Sequence, residues 1–126
     1  MILDTSAIIA ILAGEPEAPE LAACIESATE VSVSVATALE ASLVCGAARQ
    51  EDLDEFVATA RAVIVDVDAD QLDIARVAHL RFGRGSGSPA RLNYGDCFSY
   101  ALAKHLDEPL LFIGDGFTHT DVRAAR

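Results

Sequence analysis

Four short apolar runs punctuate this chain: Met1-Ile2-Leu3, Val31-Ser32-Val33-Ser34-Val35, Val63-Ile64-Val65 and Leu110 to Ile113. Each has the length of a strand, and the Val/Ser alternation of the second is the signature of a half-buried one. The stretches between them repeat apolar residues at helical spacing. Parallel strands need long, usually helical, crossovers, so strands joined by helices pack most readily into a parallel sheet. The pattern predicts an α/β fold in three layers, a parallel sheet of about four strands flanked by helices on both faces. A length of 126 residues suits one core, and no Pro/Gly/Ser tract is long enough to serve as an interdomain linker, so residues 1–126 are expected to form a single domain.

The helices can be placed from their start and stop signals. Asp4-Thr5-Ser6 opens an apolar helix from Ala7 to Ala13, which Gly14 stops. A second helix is expected from Glu15-Pro16, turning Leu21, Ala22 and Ile25 inward, and a third from Thr37 through Ala48. Gln50 to Ala60 reads as a fourth, with Leu53, Phe56, Val57 and Ala60 on one side. In a longer helix from Asp68 to Phe82, Leu72, Ala75, Ala78 and Phe82 recur at helical spacing and are expected to face the core. Gly83 to Pro89 is a loop by composition, after which Asn93 can cap a helix from Tyr94 to about His105.

Charge divides the chain. Twenty Asp and Glu against nine Lys and Arg give a net charge of -11, which opposes a nonspecific grip on nucleic acid. No Lys or Arg precedes Arg49, so the first third is acidic and suits a cationic partner. Between His79 and His105 the balance reverses, with Arg81, Arg84, Arg91 and Lys104 against Asp96 alone. A phosphate backbone would dock there, although a solvated surface is the plain alternative for these arginines. A hydrophobic content of 52% is high for a small charged domain and predicts apolar surface closed by another subunit or partner. Cys24, Cys45 and Cys97 are odd in number, lack metal spacing and sit in apolar helical patterns, so they read as reduced core thiols. Met1-Ile2-Leu3 runs straight into Asp4, without a signal-peptide pattern, and no window approaches the roughly 18 apolar residues of a membrane span, so a cytoplasmic location is expected.

Four carboxylates far apart in sequence fall where such a fold converges. In open parallel sheets, ligands bind beyond the carboxyl ends of the strands. Asp4 follows the first strand and Asp115 the last, inside Gly114-Asp115-Gly116. Their plain alternatives are a helix cap and a turn residue. Glu40 lies on a helical stripe with Ala36, Leu43, Val44 and Ala47, where an ionised carboxylate needs a partner unless it reaches solvent at the helix edge. Asp96 stands three residues after Asn93, as a capping-box acid does, and a helix N-terminus also keeps a carboxylate ionised for a metal. An all-oxygen set favours Mg²⁺, with Mn²⁺ possible, over zinc. His79, His105 and His119 have no zinc-like spacing.

Four segments carry a family resemblance: Met1 to Ala7 (MILDTSA), Thr37 to Ser42 (TALEAS), Leu92 to Lys104 (LNYGDCFSYALAK) and Leu110 to Asp121 (LLFIGDGFTHTD). In this order and at this scale they resemble the motifs of PIN-domain ribonucleases, specifically the VapC toxins of toxin-antitoxin pairs. The resemblance implies a PIN-like fold and a Mg²⁺-dependent endoribonuclease, typically a homodimer, acting on RNA and neutralised by a VapB-type antitoxin. It implies that Asp4, Glu40 and Asp96 hold the metal and that Asp115 completes the cluster. The chain departs from the pattern at Gly116, where many members carry an acid just before the Phe. Thr5 and Ser6 are placed to donate hydrogen bonds to a ligand carboxylate or phosphate, or simply to cap the helix.

Two other readings compete. A non-catalytic module would use the same acids to bind a basic antitoxin segment without turnover. A phosphatase of the haloacid dehalogenase type also begins with an Asp after its first strand, but it needs a second Asp two residues on, where this chain has Ser6.

Overall fold

The computed structural model describes residues 1–126. The sheet is built from β1 (Ile2–Leu3), β2 (Ser32–Ser34), β3 (Val63–Val65) and β4 (Leu110–Leu111), all parallel, in the order β3-β2-β1-β4. Six α-helices surround it: α1 (Thr5–Ala13), α2 (Ala18–Ser27), α3 (Val35–Cys45), α4 (Gln50–Thr59), α5 (Ala69–Phe82) and α6 (Tyr94–Leu106). Successive residues of a strand point to opposite faces. Leu3 and Leu111 enter one core with Ile8, Leu21 and Val33, whereas Ile2 and Leu110 enter the other with Tyr100, Leu102 and Phe112. The sheet is thus covered on both sides, as its buried strands require.

The order carries the functional consequence. The chain builds outward from β1 through β2 to β3, then returns across the sheet to lay β4 on the other side of β1. The direction of winding therefore reverses between β1 and β4, which is where a crevice opens at the carboxyl ends of the strands.

Local capping explains where the elements differ from expectation. α3 begins at Val35 rather than Thr37 because Ser34 Oγ accepts the Ala36 N–H at 3.3 Å, and it stops at Gly46 (φ 77) rather than Ala48. The Gln50 side-chain amide then donates to the carbonyls of Ser42 and Gly46, both at 2.9 Å. α2 begins at Ala18, after a turn in which the Ala18 N–H donates to Glu15 O.

Two expected faces are corrected. Ala78 is fully buried and Phe82 packs against the core as expected, but Leu72 is 54% exposed, and Gln71 and Ile74 turn inward near it. The Gln71 side-chain amide donates to Asp66 O at 2.9 Å, while its Oε1 is buried without a partner. In α3 the buried residues are Thr37 and Ala41. The stripe expected to bury Glu40 faces outward, with Leu43 73% exposed. In α3 the buried face is thus shifted by one residue from the expected stripe.

Candidate active site

Asp4 leaves β1 as the cap of α1 and lies against β4 through its own N–H, which donates to Leu111 O at 3.0 Å. The residue is only 3% exposed. A buried carboxylate must be satisfied by donors, and three reach it. Oδ2 accepts from the Ser6 N–H at 3.0 Å and from Ser6 Oγ at 2.6 Å, while Oδ1 accepts from Ser99 Oγ at 2.6 Å. Ser6 Oγ also accepts the Ile113 N–H at 3.0 Å, so one hydroxyl ties the ends of β1 and β4 together at the reversal point. Ser99 Oγ spends its proton on Asp4 and receives the Thr37 hydroxyl at 3.2 Å. Capping and membership of the acidic group are therefore compatible for Asp4.

Asp96 sits in the first turn of α6, three residues before Ser99 and so on the same side of the helix. Its Oδ2 accepts the Asn93 N–H at 2.8 Å and the Asn93 side chain accepts the Asp96 N–H at 2.9 Å, a reciprocal capping box. Burial pushes its carboxyl up from 3.8 to about 6, against the lowering effect of the Asn93 N–H. The negative charges of Asp4 and Glu40 raise it further, and Arg84 opposes them. Glu40 reaches this place from α3 because Gly95 has no side chain: a β-carbon there would fall 1.7 Å from Glu40 Oε2.

The structure thus brings Asp4, at the end of β1, and Glu40, in the middle of α3, close enough for their charges to act on Asp96 at the start of α6. No three His, Cys, Asp or Glu side chains already stand in a metal-holding arrangement. The donor chemistry nevertheless suits a hard divalent cation, with carboxylates and hydroxyls and neither thiolate nor imidazole. Arg84 is the one positive charge that acts on Asp96. Thr5 Oγ1 is buried without a hydrogen-bond partner, unlike Ser6.

Asp115 differs from the buried Asp4 in its surroundings. It is exposed, no side-chain hydrogen bond engages its carboxylate, and its charge is not among those acting on Asp96. Its carbonyl accepts the Thr118 N–H and hydroxyl instead, holding a 3-10 turn over Gly116–His119. The expected arginines also separate. Arg81 stacks over the Phe82 ring at 4.6 Å and lies 3.9 Å from Asp121, whereas Arg84 and Arg91 are exposed and in no ion pair. The three cysteines are free, and burial, followed by the charge of Asp96, raises the Cys97 thiol, which favours its protonated form.

Sequence reasoning missed Ser99, Thr37 and Asp121. Ser99 was detectable as the hydroxyl one turn beyond Asp96. Thr37 had no local signal. Asp121 accepts from the Tyr100 hydroxyl at 2.7 Å and Lys104 Nζ at 3.3 Å, which anchors the chain end on α6. No helix is long and apolar enough to cross a membrane.

The PIN domain family profile matches residues 1–122. A Ribonuclease VapC of Mycolicibacterium smegmatis is 45% identical over 98% of this chain and 98% of its own. Ribonucleases VapC42 and VapC28 of Mycobacterium tuberculosis are 44% and 46% identical, each over 99% of this chain and at least 97% of their own. Among solved structures, Mycobacterium tuberculosis VapC20, described as a Sarcin-Ricin loop cleaving toxin, superposes with a TM-score of 0.76 over 96% of this chain and 95% of its own, at 17% identity. A toxin-antitoxin complex from Klebsiella pneumoniae gives 0.68 over 92% and 88%, also at 17% identity. Matched end to end by such relatives, the chain belongs to the PIN domain family and, within it, to the VapC ribonucleases.

Proposed function

We propose that this protein is the endoribonuclease toxin of a toxin-antitoxin pair and that Asp4, Glu40 and Asp96 hold a Mg²⁺ or Mn²⁺ ion at the reversal point of the sheet. The observation that carries this reading is the meeting of three acids from distant segments, one almost fully buried and one raised to about 6 by burial and by the other two. Such mutual repulsion is costly unless a cation relieves it. A bound divalent ion lowers the pKa of its water and offsets charge on the phosphate being cleaved. Ser6 and Ser99 fix the Asp4 carboxylate through both oxygens, so it need not reorganise when a ligand arrives. The Asn93 N–H orients Asp96. Asp115, at the same end of the sheet but exposed, would contribute through water.

RNA is the substrate of this reading, a cytoplasmic location its setting and a VapB-type antitoxin its partner. The acidic first third suits a basic segment of such an antitoxin. Exposed Leu39, Leu43 and Leu80 support a homodimer. Because the acids repel a polyanion, RNA binding should require the divalent ion; RNA binding that persists under EDTA would contradict this. The decisive measurement is RNA cleavage by purified protein with Mg²⁺ or Mn²⁺. Asp4→Asn and Asp96→Asn should each abolish cleavage with the circular dichroism spectrum unchanged, and unchanged cleavage by both variants rejects the site. A module that only binds antitoxin would show binding and no cleavage.

A further inference from the structure

Of the nine Lys and Arg side chains, Arg49, Arg81, Lys104, Arg123 and Arg126 stand in ion pairs with acids. Arg61, Arg76, Arg84 and Arg91 do not. In a chain of net charge -11 a cation without an acidic partner is conspicuous, and two of these four line one groove. It runs between α5 and α6, encloses about 610 Å³, and has Leu72, Arg76, His79, Arg84, Tyr94 and Phe98 on its walls.

Its geometry is specific. Tyr94 is 83% exposed, an unusual state for so large a ring, and meets the Phe98 ring edge to face with centroids 5.0 Å apart. The groove adjoins the carboxylates directly: Asn93, which also lines it, donates its N–H to Asp96, and the charge of Arg84 is felt at Asp96. Flat apolar faces beside unpaired guanidinium groups match a ligand that carries both aromatic rings and anionic charge. A volume of this size is in the range of small-ligand sites and accommodates a nucleobase with its sugar.

We propose that the α5/α6 groove is a nucleotide subsite, in which Tyr94 stacks on a base next to the scissile phosphodiester while Arg76 and Arg84 contact the flanking phosphates. This subsite rests on the ribonuclease reading above and deepens it by locating where the strand is read. Leu72 and Phe98 form the apolar wall, which explains why Leu72 lies in solvent at a helical position otherwise suited to the core. Stacking on an aromatic platform tolerates any base. Preference among bases would then come from the groove walls, where α5 presents His79 beside Arg76.

The test is fluorescence anisotropy in Mg²⁺ with two single-stranded probes of equal length, about 12 nucleotides, both with phosphorothioate linkages: an oligoadenylate and an abasic strand. Tyr94→Ala should weaken the oligoadenylate by about 5- to 100-fold and leave the abasic strand unchanged, while Tyr94→Trp retains binding. Arg84→Gln should weaken both probes and reduce the salt dependence of each. Equal losses on the two probes, or no loss on either, overturn the subsite. So does a change in solution mass on Tyr94→Ala by light scattering, which assigns the groove to contact between copies. If the wild type cuts RNA while Tyr94→Ala binds normally, the subsite alone is wrong; if the wild type neither binds nor cuts RNA, the parent reading falls with it.

Discussion

The Glu40 carboxylate packs against the bare Cα of Gly95, in space that any other residue at position 95 would claim for its β-carbon, 1.7 Å from Glu40 Oε2. This close approach lets α3 deliver an acid to the first turn of α6. The clashing atom is the end of a flexible side chain, so a methyl group at position 95 would push the carboxylate aside without dismantling the helix pair. Gly95→Ala should therefore lose cleavage by roughly 10-fold or more while its melting temperature holds or rises, since Ala is favoured over Gly in a helix by about 1 kcal/mol. Mg²⁺ titration calorimetry should show weaker binding in the same variant. Full activity in Gly95→Ala would remove Glu40 from the site.

Ser99 donates to a carboxylate that has almost no water around it. Ser99→Ala leaves Asp4 Oδ1 short of a donor and strands the Thr37 hydroxyl, and a hydrogen bond to a charged group contributes about 1.5–3 kcal/mol. Chemical denaturation should show a loss of that order, and cleavage should fall with it as Asp4 loses its fixed orientation. Ser99→Thr, which keeps the hydroxyl, should recover some of both. Unaltered stability in Ser99→Ala would mean that water replaces the donor.

Asp96 supplies a pH signature. Its folded value, about 6, lies above the ordinary 3.8, so the native state holds this proton more tightly than the unfolded chain does. The resulting stability is fully present below about 3.8 and is lost as the pH rises through about 6. Asp96→Asn cannot ionise, and its side-chain oxygen can still accept the Asn93 N–H. In EDTA the variant should match the wild type near pH 4 and exceed it at pH 7.5, by roughly 1 kcal/mol once partial solvent exposure is discounted. Added Mg²⁺ should close or reverse that gap. A melting-temperature difference independent of pH between 4 and 7.5 would show that Asp96 carries no such repulsion.

Mg²⁺ affinity should follow the same titration, rising as the pH passes about 6 and Asp96 becomes a carboxylate. Calorimetry at pH 5 and pH 7.5 measures it directly, and an affinity unchanged between the two would place the ion away from Asp96.

Asp115 should matter less than the buried acids. It is exposed and does not perturb Asp96, so Asp115→Asn should lower cleavage by no more than about 10-fold. Parallel rate measurements against Asp4→Asn decide this, and equal losses would restore Asp115 to the inner group.

The alternation of apolar runs with helical patterns was sufficient for an α/β class and for four parallel strands, because period and crossover length are properties of neighbouring residues. The boundary of α6 and the Asn93/Asp96 box were equally legible, since a capping box is complete within four positions. Helical phase was not. Leu72 and Gln71 differ by one position, and local pattern favours the leucine for the interior, but α5 buries Gln71, bonded to Asp66 O, and leaves Leu72 on the groove wall.

Glu40 belongs with the other acids for a reason different from the one its own helix suggested: its stripe faces outward, and the glycine of another helix admits it. The sequence by itself determined which acids were available and at which ends of which elements they stood. Only the tertiary structure decided that Ser6 and Ser99 clasp Asp4, that Asp121 pairs with Arg81 and that Asp115 is left exposed. Those contacts join residues up to 95 positions apart, and they exist because the sheet reverses between β1 and β4, an order that helices and strands taken singly do not encode.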